Sequence, residues 1–170
     1  MAKLAILHHP DPRLRATAAQ VTSFDADLER FVADLIETLH AAGGIGLAAT
    51  QTGDLRRVFV MDLSPDRTAP EVYVNPEILQ KRALGLVEES CLSVPGVVGN
   101  VVRATQVRVR AQDVQGATFE RDLEAMHAVC VQHEIDHLDG RLFVDRLSIL
   151  RRLWLKAWPP KAAKPADRAA

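Results

Sequence analysis

Apolar residues Leu28, Phe31, Val32, Leu35, Ile36 and Leu39 recur at helical spacing, which predicts an amphipathic helix capped by Thr22 or Ser23. The pattern then changes. Strand-like runs occur at residues 58–63, 71–74 and 84–88. Alternation at 106–111 and 117–121, on either side of a turn-forming stretch at 113–116, predicts a hairpin. Residues 123–138 contain neither Pro nor Gly, and Gly140 stands where a helix C-cap is expected, so a second helix is predicted there. Ser148 can start a last helix through Leu150, Leu153, Trp154 and Ala157, broken by Pro159-Pro160. The Ala/Lys/Pro-rich residues 159–170 are expected to form a disordered tail after one catalytic domain over residues 1–158. This order predicts an α+β fold: antiparallel β-sheets wrapped around a central helix, with an N-terminal and a C-terminal helix.

The central helix carries the chemistry. Within Gln132-His133-Glu134-Ile135-Asp136-His137 the two histidines are four apart, about one turn or ~6 Å along the axis, so both imidazoles can reach one metal ion. Glu134 sits beside the first of them, where its carboxylate can take a proton from water. Ala125, Val129, Gln132 and His133 share one side with Met126, Cys130 and His137 close by, so the histidines face the apolar side. Two imidazoles pointing into a core need polar partners, and a metal is the simplest one.

A third ligand is not found downstream. Phe143 stands where HExxHxxGxxH proteases place their third His, and no Glu follows Glu134; Asp139, Asp145 and Asp167 have ordinary surface readings. Cys130 is seven residues before His137, ~10 Å of axial rise, too far to share its metal, and reads as a small apolar residue of the core or a pocket wall. Cys91 lies in the polar, turn-forming stretch Glu89-Ser90-Cys91-Leu92-Ser93-Val94-Pro95-Gly96. Its thiolate can complete a Cys-His-His set with a fourth position open, although on its own a buried free thiol is the commoner state. Gly43-Gly44-Ile45-Gly46-Leu47-Ala48-Ala49-Thr50-Gln51 is built for close backbone approach, and Gln51 offers an amide donor for an oxyanion. No Gly-Lys-Ser/Thr follows, so it is not a phosphate loop.

Together GIGLAATQ, ESCLS and QHEIDH, in this order, resemble the signature motifs of peptide deformylases. The resemblance also covers His8-Pro10-Asp11-Pro12-Arg13-Leu14-Arg15 and Val74-Asn75-Pro76-Glu77, and runs from about Lys3 to Leu150. It implies a metal-dependent hydrolase that removes the formyl group from N-terminal formyl-methionine of new polypeptides. It assigns the metal to Cys91, His133 and His137. Glu134 becomes the general base, then acid, for hydroxide formed on the metal, and the Gln51 side chain and Leu92 backbone N–H become the oxyanion donors. Gly44, Ile45, Gly46 and Glu89 would contact substrate, and Val87, Met126, Val129, Cys130 and His133 match positions lining a methionine pocket. The donor set alone suggests zinc; the resemblance implies Fe²⁺, with Zn²⁺, Ni²⁺ or Co²⁺ able to substitute. Some residues depart from the family pattern. Ser90 and Ala125 stand where glycine is common, His127 where an apolar residue is usual, and Val98 where some members carry an Arg.

Two other readings remain at this level: a protease, which lacks its downstream ligand, and a non-catalytic metal-binding homologue, supported only by Ser90. A formal net charge of −1 over 170 residues leaves no electrostatic footprint for nucleic acid. Two unpaired-looking cysteines, no 18-residue apolar run and no transit-like start predict a cytoplasmic protein without membrane attachment, and a monomer is expected. The basic residues of the tail suggest a transient ribosome contact, with a solvated tail as the default.

Overall fold

In a computed structural model, which describes residues 2–157, helix α1 (Ala26–Ala42) is followed by strands β1 (Gly46–Ala48), β2 (Val58–Met61), β3 (Glu71–Ser90), β4 (Val98–Gln112) and β5 (Thr118–Glu124), then α2 (Ala125–Leu138) and α3 (Ile149–Ala157). The strands form a single antiparallel sheet in the order β1-β2-β3-β4-β5, and α2 packs on it. The α+β expectation holds, with one sheet rather than several. Pro159, Pro160 and the expected tail lie outside the described residues.

Element boundaries differ from the pattern for local reasons. Helix α1 is capped by Asp25, not Thr22 or Ser23: its carboxylate accepts from the Asp27 and Leu28 amides at 3.0 and 3.1 Å. The helix ends at Gly43 in the left-handed region (φ 68°), where the Gly43 and Gly44 amides reach back to His40 and Leu39 carbonyls. The runs at 71–74 and 84–88 belong to one 20-residue strand. Pro76 has no amide to give a ladder, but the register shifts between Val74 and Glu77 and the strand continues. Asn75, at φ 51°, closes the gap by bonding Val21 through both side-chain atoms and Gln112 through Nδ2. The predicted hairpin is present: β4 and β5 pair through a turn in which Gly116 N–H donates to Asp113. Strand β5 keeps Leu123 and Glu124, so α2 starts two residues later than the pattern implies. Ala125 at φ 49° makes that change of direction. Ser148 does start α3, accepting at its carbonyl from Arg152 and at its hydroxyl from Arg151.

The inner face of α2 and the sheet enclose the main core, where Phe59 stacks on Tyr73 with centroids 4.7 Å apart. Helix α1 covers the β1–β2 end through Leu28, Val32, Leu35 and Leu39. A third cluster, including Leu14, Val94, Val97, Leu142 and Phe143, packs around Cys91. Both the loop between β3 and β4 and the middle of α2 are therefore held by packed apolar side chains.

Candidate metal centre

Helical spacing puts His133 and His137 one turn apart on α2, with Nε2 atoms 3.2 Å from each other. The loop after β3 brings Cys91 Sγ to 3.2 Å from His137 Nε2, and the three ligand atoms all lie within 4.8 Å of one another. Bonds of 2.0–2.3 Å in a tetrahedral site require ligand atoms roughly 3.3–3.6 Å apart, so the spacing suits one shared cation. Protein hydrogen bonds alone do not satisfy the group: His137 Nε2 faces both the thiol and the other imidazole but can carry only one hydrogen. Burial and the neighbouring His133 push the His137 pKa well below its ordinary value, towards the neutral form a metal ligand needs.

His133 is oriented from behind. Its Nδ1 lies 2.8 Å from Glu89 Oε2, and because the carboxylate accepts, Nε2 is left as the free lone pair facing Cys91 and His137. Glu89 is in turn held by Arg103 at 2.6 and 3.0 Å, and Arg103 also reaches Asp136 at 2.6 Å. Arg146 closes the chain on the outer side of Asp136 at 2.5 and 2.6 Å. Arg103 is only 2% exposed, so this buried cation is matched by two carboxylates. Burial pushes the Glu89 pKa upward, but the bonds from His133 and Arg103 prevail and bring it to about 2. Sequence reasoning missed Arg103, Asp136 and Arg146. Asp136 lies inside the HExxH motif, yet its partners come from β4 and the segment after α2, and no spacing along the chain announces them.

Glu134, by contrast, has a buried oxygen, Oε2, without a hydrogen-bond partner. Burial raises its pKa to about 7. It faces the glycine segment so closely that a Cβ on Gly46 would sit 2.4 Å from Oε1 and 2.8 Å from Cys130 Sγ. Gly46 is required there by contact, not by backbone conformation. Gln51 is 1% exposed; its Oε1 accepts from the Ala48 amide at 2.8 Å and its Nε2 donates to Ser93 Oγ at 3.0 Å, with Cys91 Sγ at 3.7 Å.

These groups surround a cavity of about 540 Å³. Gly44, Ile45 and Gly46 form one wall, and Met126, Val129 and Cys130 of α2 form another. Gln51, Glu89, Cys91, Leu92, His133 and Glu134 complete the predicted residues that reach it. Val87 is not on the wall: it pairs with Val101 further up the ribbon, and β3 meets the cavity only from Glu88 onward. Glu89 is on the wall, and both its side-chain oxygens are engaged by Arg103 and His133, so its carboxylate orients His133. Asp145 is engaged by Arg15 and the Leu142 amide. Ser90 does not have a positive φ, so its side chain is not strained. Ala125 does, which is a physical reason for glycine at that place. His127 is half-buried and does not line the cavity.

The sequence matches the polypeptide deformylase family model over residues 3–153. The chain belongs to that family. It is 47% identical over 164 residues to a peptide deformylase of Chromobacterium violaceum, covering 96% of this chain and 98% of the relative. With a peptide deformylase of Alkalilimnicola ehrlichii it shares 52% over 153 residues, 89% of this chain and 86% of the other. Among solved structures, a peptide deformylase from Legionella pneumophila superposes with a TM-score of 0.87 at 43% identity, covering 94% of this chain and all of that one. One from Ehrlichia chaffeensis, solved in complex with actinonin, gives 0.86 at 32% identity over 94% of this chain. Deformylases are metal-dependent hydrolases that remove the N-formyl group from nascent polypeptides, and this chain is an enzyme of that type.

Proposed function

We propose that this deformylase binds Fe²⁺ through Cys91, His133 and His137 and uses Glu134 to move the proton of the reaction. The observation that carries the reading is the convergence of three ligand atoms beside a buried, partly unpaired carboxylate on the floor of one cavity. When bound, the metal supplies Lewis-acid polarisation and makes water acidic near neutral pH. Glu134 accepts a proton from water as the O–H oxygen bonds to the formyl carbon, then returns that proton to the nitrogen as the C–N bond breaks. Formate and a free amine leave. Gln51 Nε2 and the Leu92 N–H donate to the developing oxyanion; where such a donor has been removed elsewhere the loss is about 3–4 kcal/mol.

Methionine, unbranched and apolar, suits the wall of Met126, Val129 and Cys130. Ile45 and Gly46 present a sheet edge against which an extended peptide can pair. Residues 1–158 act as one catalytic domain, as a monomer in the cytoplasm, with no nucleic-acid specificity. For the basic residues of the tail a solvated state is the default reading and a transient ribosome contact the alternative. Zn²⁺, Ni²⁺ or Co²⁺ can replace Fe²⁺, and the thiolate with two imidazoles suits any of these ions.

The test is deformylation of formyl-Met-Ala-Ser by protein purified anaerobically with Fe²⁺, beside Glu134→Ala and Cys91→Ala. Turnover that vanishes in both variants supports the roles. Turnover that survives Cys91→Ala removes that ligand from the scheme.

A further inference from the structure

Residues 62–70, between β2 and β3, do not line the cavity, yet they are tied to its glycine wall. The Asp62 side chain is fully buried, with Oδ2 2.9 Å from His40 Nε2 on α1 and Oδ1 accepting from the Ser64 amide at 3.0 Å. Ser64 Oγ in turn accepts from the Thr68 and Ala69 amides at 3.1 and 3.3 Å. That winding carries Arg67 back to residues 44 and 45. Its Nη1 donates to the Gly44 carbonyl and, at 3.1 Å, to the Asp62 carbonyl, while the Asp62 N–H donates to the Ile45 carbonyl at 2.9 Å. Arg67 does this from φ 57°, a left-handed conformation that favours Gly and strains a long L-residue. Among the described residues its guanidinium bonds carbonyls and no carboxylate. A strained residue whose cation is committed to main-chain oxygens is a sign that the held carbonyl matters.

The peptide unit between Gly44 and Ile45 is trans, so its carbonyl and its N–H point in opposite directions. Gly44 and Ile45 line the cavity and Arg67 does not, so a carbonyl drawn to Arg67 leaves the Ile45 N–H on the cavity side. That N–H donates to no acceptor among the described residues. We infer that Arg67 is a positioning residue for deformylation: by holding the Gly44 carbonyl it aims the Ile45 N–H at the first peptide carbonyl of the substrate. The inference rests on the proposed pairing of substrate with this edge. A cation on the carbonyl also polarises the peptide group and strengthens its N–H as a donor. Arg67 touches neither the cavity nor the reacting atoms, so its loss falls on peptide binding and spares the chemical step.

The experiment measures kcat and KM for formyl-Met-Ala-Ser with metal-loaded wild type, Arg67→Gly and Arg67→Lys, together with urea unfolding of each. Glycine removes the side chain and suits the left-handed backbone, so the loop keeps its shape; lysine keeps a cationic donor. In Arg67→Gly the KM is expected to rise about tenfold, the scale of one hydrogen bond from a charged group, with kcat within about twofold of wild type. The unfolding midpoint of Arg67→Gly should be no lower than that of the wild type, because the backbone strain is relieved. Arg67→Lys is expected to recover most of the lost binding. An unchanged KM in Arg67→Gly, a fall in kcat in place of a rise in KM, or a loss that Arg67→Lys does not recover overturns the assignment. In each of these the wild type still releases formate, so the deformylase reading stands. A wild type that releases none overturns that reading, and the inference with it.

Discussion

A carboxylate with one buried oxygen unpaired is an uncomfortable group, and Glu134 is held in that state by the closeness of Gly46. Gly46→Ala is expected to displace Glu134 or β1, because the added methyl would meet the carboxylate at 2.4 Å. Deformylation should fall by at least about 10²-fold, the range lost when general acid–base catalysis is impaired, while circular dichroism stays native. Glu89 gives a different prediction. Glu89→Gln keeps the shape but weakens the orientation of His133, and second-sphere changes of this kind cost about 10–100-fold in metal affinity or activity. Metal titration followed by absorption or calorimetry checks it, and an unchanged affinity would remove Glu89 from the support of the site. The two histidines and Glu134 were legible as a candidate metal site from their spacing on one helix, whereas Cys91 and Gln51 stood out only through the ordered motifs that resemble the family. Arg103 did not: on the page of the sequence it is one arginine among several in an alternating strand, and only the fold shows that it is buried between Glu89 and Asp136.

At the scale of elements, the junction from β5 to α2 matters most, because α2 carries both histidines and Glu134. The chain turns there on Ala125 at φ 49°, a conformation that costs an L-residue roughly 1 kcal/mol. Ala125→Gly is therefore expected to stabilise the protein by about 0.5 kcal/mol after the entropic penalty of glycine, seen as a small rise in urea midpoint. A fall in that midpoint would show that the turn is not strained. The long β3 explains why strand boundaries were harder to read than helices. Asn75-Pro76 looks like a terminator in sequence, yet the shift of register and the side-chain bonds of Asn75 carry the ladder across it. Helix periodicity in α1 was plain, whereas its cap depended on which of several nearby polar residues could turn its oxygen back to the first amides, and Asp25 does so.

For the whole molecule, the buried ion network links the strand ribbon, α2 and the segment after it. Burial opposes ionisation of Asp136, but Arg146 and Arg103 prevail and hold its pKa below the ordinary value, and Glu89 is brought to about 2 from 4.5. Both groups have folded pKa values below their unfolded ones. Their contribution to stability is thus complete above the unfolded value, near pH 4.5 for Glu89, and is lost as pH falls towards 2. Urea unfolding should show a loss of about 2 kcal/mol between pH 5 and pH 3. In Arg103→Met that acid dependence should be smaller and the protein less stable at pH 7, because two buried carboxylates lose their partner. Chelation of the metal should also lower the midpoint at pH 7, since a ligand bound only by the folded state adds stability by mass action.

Strand β1 has only three residues and one unpaired edge, beside the cavity. Three residues at about 3.3 Å each offer only about 10 Å of main chain. In the β-pairing proposed above, an edge of that length would read peptide groups, which every protein shares, and would have no room to demand a particular sequence. An enzyme that must process the first residue of thousands of unrelated chains gains breadth from such economy. The same brevity makes β1 a poor template for another sheet, so generality towards substrates comes without an invitation to aggregate.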